Sequence, residues 1–260
     1  KKAAVKLTGF LHHLAPQALH LSDKWGDATF SAVFNADFVG SDVNDAQGTV
    51  DLDDFELIDS LGTYRIKNVH VNSGFDGGEH FLNVKGDMGE VRLKGRFDWA
   101  TLPASFVNCI ADKLPTMPGL PAKRMRTDNN FMLRAYLSDS EWVKRVVGVP
   151  FELQEPIVFQ ADLNDRQHLM TVRGSIPSFI YDGDNYSGCN ILLSSPADSI
   201  RCDVWLTKLL ENGRNLDMNL SATAADNNLT TTFWWDNNEQ YGKAMNGMLN
   251  AVTRLYYADD

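Results

Sequence analysis

The sequence predicts a mainly β protein, an elongated, curled, trough-like antiparallel sheet with an apolar inner face and two short helices. Three observations carry this. Apolar and polar residues alternate with period two along most of the chain, the pattern of strands wetted on one face only. Turn clusters interrupt the alternation every ~10 to 15 residues, too closely for helical crossovers between parallel strands. The acidic residues are 26 Asp against only 8 Glu, beside 20 Asn. Asp and Asn suit turns and strand ends, whereas Glu suits helix interiors. The alternative that fits the same observations is two packed β-sandwiches.

The segment 91–99 is the clearest strand. Val91, Leu93, Gly95, Phe97 and Trp99 alternate with Arg92, Lys94, Arg96 and Asp98. Alternation predicts further strands over 28–38, 49–58, 64–71, 81–88, 131–137, 157–163, 169–176, 189–193, 200–206, 216–224, 229–235 and 248–256. A phase change at Asp53-Asp54 predicts a bulge. Turn clusters stand at 73–78, 181–185, 211–214 and 225–228.

Two segments break the pattern. Pro103 near the start and Pro115 after the end frame a helix over 102–114, with Phe106, Val107, Ile110 and Leu114 as its apolar positions. The second helix is expected over 139–148, with Trp142, Val143, Val146 and Val147 on one face and Gly148 to stop it. The proline-rich stretch 115–127 is the place for an internal boundary, splitting one continuous β-rich segment, 1–260, into halves 1–114 and 128–260. On the order of 13 to 16 strands follow, more than an open flat sheet usually carries before it curls, closes or splits.

The composition excludes several functions. The net charge of −10 is unsuited to tracking a phosphate backbone, so no nucleic acid is expected as a partner. No run reaches the length of a membrane helix, and Lys1 to Phe10 is not expected to act as a signal peptide, having no long apolar run and no small-residue cleavage site. The start Lys1-Lys2-Ala3-Ala4-Val5 reads as an internal slice of a longer polypeptide. G-x-S-x-G, G-x-G-x-x-G, Walker and H-E-x-x-H patterns are absent. His12, His13 and His20 bring no fourth ligand, and the Asp-rich loops at 51–54 and 182–185 do not follow the calcium-loop pattern. Neither an enzyme, a cofactor nor a metal is expected. Cys109, Cys189 and Cys202 form no metal-ligand spacing and read as small apolar residues, although Cys189 and Cys202 fall in neighbouring strands where a pairing stays open. The tryptophans at 25, 99, 142, 205, 234 and 235 read mainly as core, with a sugar-binding platform as the rival.

What remains is the apolar parity itself. As structure it is a core; as function it lines a groove for an apolar ligand. The residues expected to line such a groove are Val91, Leu93, Phe97, Leu133, Ile157, Phe159, Leu216, Met218, Leu220, Phe233 and Trp235.

The order of the phrases matters too. Tyr64-Arg65-Ile66-Lys67-Asn68-Val69 leads through a Gly-rich turn to Leu82-Asn83-Val84-Lys85-Gly86-Asp87 and then Val91 to Asp98. Leu102-Pro103-Ala104-Ser105 enters a helix ending at Lys113-Leu114-Pro115, followed by Glu155-Pro156-Ile157, Ala161 to Asp165, Ala224 to Asn227 and Trp235 to Asn238. In this order the chain resembles the periplasmic TamB proteins (translocation and assembly module, AsmA-like superfamily) of the Bacteroidetes type. The resemblance spans most of the chain but rests on short phrases and β alternation. It implies an internal periplasmic fragment of a protein anchored in the inner membrane through a segment not present here. It implies phospholipid acyl chains or hydrophobic client strands as ligands. It also implies an Omp85-class outer-membrane barrel as partner, docked through other parts of the full-length protein. The roles implied are phospholipid transport between the inner and outer membranes and outer-membrane protein assembly. The two short helices have no counterpart in the simplest form of that fold.

Overall fold

A computed structural model describes residues 3–121, 123–196, 198–239 and 242–256. Its strands are β1 (Ala3–Leu14), β2 (Thr29–Gly40), β3 (Gln47–Asp59), β4 (Gly62–Asp76), β5 (Glu79–Gly86), β6 (Gly89–Arg96) and β7 (Asn130–Leu137). They continue as β8 (Phe151–Leu153), β9 (Ile157–Asn164), β10 (Leu169–Tyr181), β11 (Asp184–Ser194), β12 (Ile200–Leu209), β13 (Asn215–Ala225), β14 (Asn228–Asp236) and β15 (Asn246–Arg254). All fifteen belong to one antiparallel sheet that does not close into a barrel, with each strand beside its chain neighbour except that β7 pairs β9 and short β8 pairs β10. The sheet is a meander, so the sandwich alternative is set aside. The stretch 97–129 leaves the sheet after β6 and returns into β7, which pairs β6 directly; the sheet is unbroken across it.

The expected bulge is present. Asp54 has a positive φ of 50°, and the register of β3 against β2 shifts between Ser31 and Val33. A second bulge lies at Gly188, φ 60°, where the register of β11 against β12 shifts between Ser187 and Asn190. Each bulge lets a long strand change twist without carrying its apolar side chains to the wrong face for its whole length.

The first helix forms as α1 (Leu102–Lys113), with Pro in its first turn and the Leu114 N–H closing onto Ile110 O. Trp99 N, ahead of α1, donates to Asn44 Oδ1 in the β2–β3 loop, and Lys113 O, at its end, accepts from Asn227 N in the β13–β14 turn. The helix and its short lead span at most ~28 Å. Along the sheet, β3 and β13 are nine strand steps apart, or ~43 Å if flat. The chord is shorter than the arc, so the sheet curls, with α1 inside the curl.

The second expected helix is shorter than its sequence suggests. Residues 141–147 make one tight turn, π-helical over Val143–Val147, stopped by Gly148 in the left-handed conformation (φ 85°) as expected. The side chains of Val146 and Val147 lie outside the described residues. Besides its own backbone bonds, the turn is held by side chains. Arg145 reaches Asp59 Oδ1 (2.9 Å) and Glu141 Oε1 (2.6 Å), and Tyr64 Oη donates to Asp139 Oδ2 (2.7 Å). Trp142 packs against the buried cluster of Ala28, Leu57, Tyr64 and Ile66.

One inward-facing polar group is fully enclosed. His80 on β5 is 3% exposed and stacks between Phe75 (4.7 Å) and Phe97 (4.8 Å). The Ser73 hydroxyl donates to Ala46 O (2.9 Å), so at 2.8 Å it accepts from His80 Nε2, which fixes the Nε2–H tautomer and leaves Nδ1 without a partner among the described residues. Burial holds the His80 pKa below its ordinary 6.5. The unfolded chain therefore takes up the proton first. This contribution to stability is complete above about pH 6.5 and is lost as pH falls below it. His80→Phe, which keeps the stack, is expected to flatten the decline in urea midpoint between about pH 7.5 and about pH 5. An unchanged slope would remove His80 from the acid response.

Candidate functional site: the apolar inner face

Register carries one apolar row across the whole sheet. Leu7, Ala36, Val50, Val71, Val84, Val91, Ala135, Phe159, Gly174, Ile191, Val204, Leu220, Phe233 and Leu249 are successive cross-strand partners. No polar side chain interrupts it. The adjacent row, one residue along and on the opposite face, reads Lys6, Asp37, Thr49, Asn72, Asn83, Arg92, Arg134, Gln160, Arg173, Leu192, Asp203, Ser221, Thr232 and Asn250. Leu192 alone is apolar there. A one-residue slip anywhere would exchange the rows, so this two-faced pattern specifies the pairing of the entire meander.

The side chains of α1 lie on the apolar face, which is the concave one. All eleven residues expected to line a groove share that face, but they do not share an environment. Leu93 and Phe97 are buried with Cys109 of α1, Phe131, Leu163 and Met170, and Leu133 packs against that cluster. These three are core rather than lining, because α1 enters the curl and covers this end of the strands. Leu114 continues the cover over Ile200 and Ala224. Val91, Ile157, Phe159, Leu216, Met218, Phe233 and Trp235 remain half-buried, and Leu220 is exposed. Phe233 and Trp235 stack at 5.3 Å. Ile191, Val204 and Leu206 belong to the same uncovered area and were missed, although their strands were recognised. The signal was present: parity needed only to be carried from β13 across the Val204–Leu220 and Leu206–Met218 pairs.

The uncovered strip therefore runs across β9 to β14, between α1 at one end of the strands and the 141–147 turn region at the other. Five strand steps make it ~24 Å long, compared with ~15 Å for one leaflet of a bilayer's hydrocarbon core. Its centre offers carbon and almost no fixed charge. At its rim Lys208 pairs with Asp184 and lies 5.8 Å from the Tyr186 ring centroid. Such a surface can hold apolar chains.

The polar groups near α1 have another task. Ser105, Asn129 and Asp165 form a closed network. Ser105 Oγ donates to Asp165 Oδ2 (2.8 Å), Asn129 Nδ2 donates to Ser105 Oγ (2.7 Å), and Asn129 N donates to Asp165 Oδ2 (2.7 Å). Ser105 is 0% exposed and no histidine joins it, so the network clamps the helix to β7 and β9 rather than serving as a nucleophile. Burial pushes the Cys109 thiol up to about 11, and Asp165 and Asp112 push the same way, which makes it a poor nucleophile. Cys189 and Cys202 are free thiols; Cys202 stands opposite Leu193, four residues along β11 from Cys189, too far for a disulfide. Among the described residues no three His, Cys, Asp or Glu side chains converge as metal ligands. Trp25, Trp99 and Trp142 pack into the clusters, whereas Trp205 is exposed on the outer face.

The fold and the site together define an open, curled, single-sheet β protein with an apolar trough. No family model, curated protein or solved structure matches the chain.

Proposed function

We propose that this chain is a non-enzymatic carrier segment whose trough shields phospholipid acyl chains or hydrophobic client strands. In this reading it is an internal periplasmic piece of a TamB-like protein that assists phospholipid transport between the membranes or outer-membrane protein assembly. The observation that carries the proposal is the unbroken apolar row, left uncovered from β9 to β14. Water-exposed apolar area of that extent is costly to keep unless something covers it in use. Burying about six methylenes there yields ~5 kcal/mol, a hold of roughly 0.2 mM that releases as readily as it binds, as a carrier needs.

The test is photo-crosslinking from Leu220 and Phe233 on the inner face and from Arg134 and Thr232 on the outer. Phospholipid adducts are expected at the inner pair, several-fold above the outer pair. Equal labelling of both faces would overturn the proposal. Ile191→Asp places a carboxylate in the middle of the strip and is expected to lower lipid retention about tenfold, the equivalent of ~1.4 kcal/mol.

A further inference from the structure

We propose that the outer face of the sheet carries a second site, a groove across β6 to β12 that binds an acidic oligosaccharide, a chain of uronic-acid units. It lies on the face opposite the trough and does not rest on what the trough carries.

Two depressions make the groove. One, of about 720 Å³, lies over β9 to β12, and the other, of about 350 Å³, over β6 to β9; they meet at Val158 and Gln160. Five strand steps make the whole ~24 Å long. Every strand beneath it is paired on both sides, so an extended peptide finds no free backbone edge to pair with. Register sets the lining. Tyr136, Val158, Ser175, Asn190 and Trp205 are successive cross-strand partners along one outward row. Arg134, Gln160 and Arg173 stand side by side in the next outward row, two residues along their strands.

That lining has the chemistry of a sugar acid. Trp205 is 52% exposed, and among the described residues no other ring or cation lies against its indole. A flat apolar ring turned to water beside Asn190 suits a pyranose, which presents C–H bonds on its face and hydroxyls round its rim. Tyr136, 48% exposed, offers a second ring toward the other end. Gln160 and Asn190 each spend an amide N–H on the protein, on Asp162 Oδ2 (2.8 Å) and Gly188 O (3.0 Å), which leaves their carbonyl oxygens to accept from hydroxyls. The charge comes from arginine. Arg65, Arg96, Arg145 and Arg166 each hold a carboxylate, whereas Arg134 and Arg173 hold none among the described residues. Their positions are two strand steps apart, ~10 Å, with Gln160 between. Each guanidinium can take a carboxylate through two parallel hydrogen bonds. A chain of net charge −10 repels a polyanion over most of its surface, so retention on this face falls to these two arginines.

The test is calorimetric titration of the full chain with an alginate oligosaccharide, with a neutral cello-oligosaccharide of equal length, and with oligoglutamate. Alginate is expected to bind with a Kd of ~0.1 mM, and the other two about tenfold more weakly or worse. Arg173→Gln is expected to weaken alginate binding about tenfold, and so is Trp205→Thr, which removes the ring and keeps a strand-forming residue. Arg201→Gln removes the same charge from an exposed position of β12 outside the groove and is expected to leave the affinity within about twofold. Urea midpoints are compared with the parent chain, and Arg134→Gln stands in for Trp205→Thr if that variant is destabilised. Absence of alginate binding overturns the proposal. So does equal binding of the cello-oligosaccharide or of oligoglutamate, or an equal loss of affinity in Arg201→Gln.

Discussion

Asn129→Ala is expected to destabilise the chain by about 3 kcal/mol, lowering the melting temperature by roughly 6–12 °C. Asn129 is 1% exposed, and every polar atom of its amide is in use. Its Oδ1 accepts from Asp98 N (2.8 Å), and its Nδ2 donates to Thr101 Oγ1 (3.1 Å) and Ser105 Oγ (2.7 Å). Its backbone N–H holds Asp165, whose own N–H returns to Asn129 O at 2.9 Å. The amide thus joins the end of β6, the start of α1 and the β9–β10 connection. Truncation leaves the Asp98 N–H without its acceptor in a site with no room for bulk water, and the partly satisfied network that remains costs more than an apolar one would. Asn130→Ala, one residue on and exposed, is the control and is expected to stay within about 0.5 kcal/mol. Urea midpoints of the two variants, compared at constant slope, decide the matter.

The parts of the fold that were legible are those where local chemistry and the final environment agree. Alternation in β6 and β13 is unbroken because one face of each is wet. The helix could be placed because Pro103 and Pro115 act through the backbone whatever packs around them. The misreadings have physical causes. The segment 73–78 reads as a turn because it holds three glycines, yet β4 runs through Asp76. Gly74 is there for another reason: a Cβ at that position would lie 2.8 Å from the ring of Phe81, its cross-strand partner. Gly9 beneath Phe34 and Gly247 beneath Trp235 repeat the arrangement. At these three positions a glycine inside a strand marks the seat of an aromatic ring on the neighbouring strand, and single-strand alternation cannot show that. β1 was not recognised because Phe10 falls out of phase with Leu7 and Leu11. The three-residue β8 is too short for any period. The covering of Leu93 and Phe97 was invisible for a further reason. The apolar stripe of α1 shows that the helix is buried, but which strands it lies on is decided by Asn129, Asp165 and Asn227, residues that look like ordinary turn asparagines and aspartates.

Leu114→Asp is expected to detach the C-terminal half of α1 and to uncover more of the trough. Leu114 is buried between Ile200 and Ala224, with Ile110, Leu193, Leu229 and Leu255 around it. A carboxylate there is both desolvated and placed at the negative end of the helix. The N-terminal half stays anchored by Ser105 and Asn129, whereas the C-terminal half is held by the packing of Leu114 and Ile110, by Asn227 N donating to Lys113 O and Thr116 N donating to Asn227 Oδ1, and by Arg124 and His168 against Asp112 at its surface. Hydrogen exchange over 106–116 is therefore expected to quicken by about 100-fold, an opening made cheaper by ~3 kcal/mol, with the β12–β13 ladder still protected. Leu114→Ala should cost ~2–3 kcal/mol through the cavity alone and leave the helix seated. The two variants separate two views of α1. If the helix is a plug in a longer trough, Leu114→Asp frees Leu193, Ile200 and Ala224, and the uptake of a fluorescent apolar probe rises several-fold over the parent chain. If α1 is itself a wall of the site, uptake falls with the same substitution. The geometry favours the plug, because the side chains that α1 covers lie on the same face of the sheet as those it leaves open and are of the same kind.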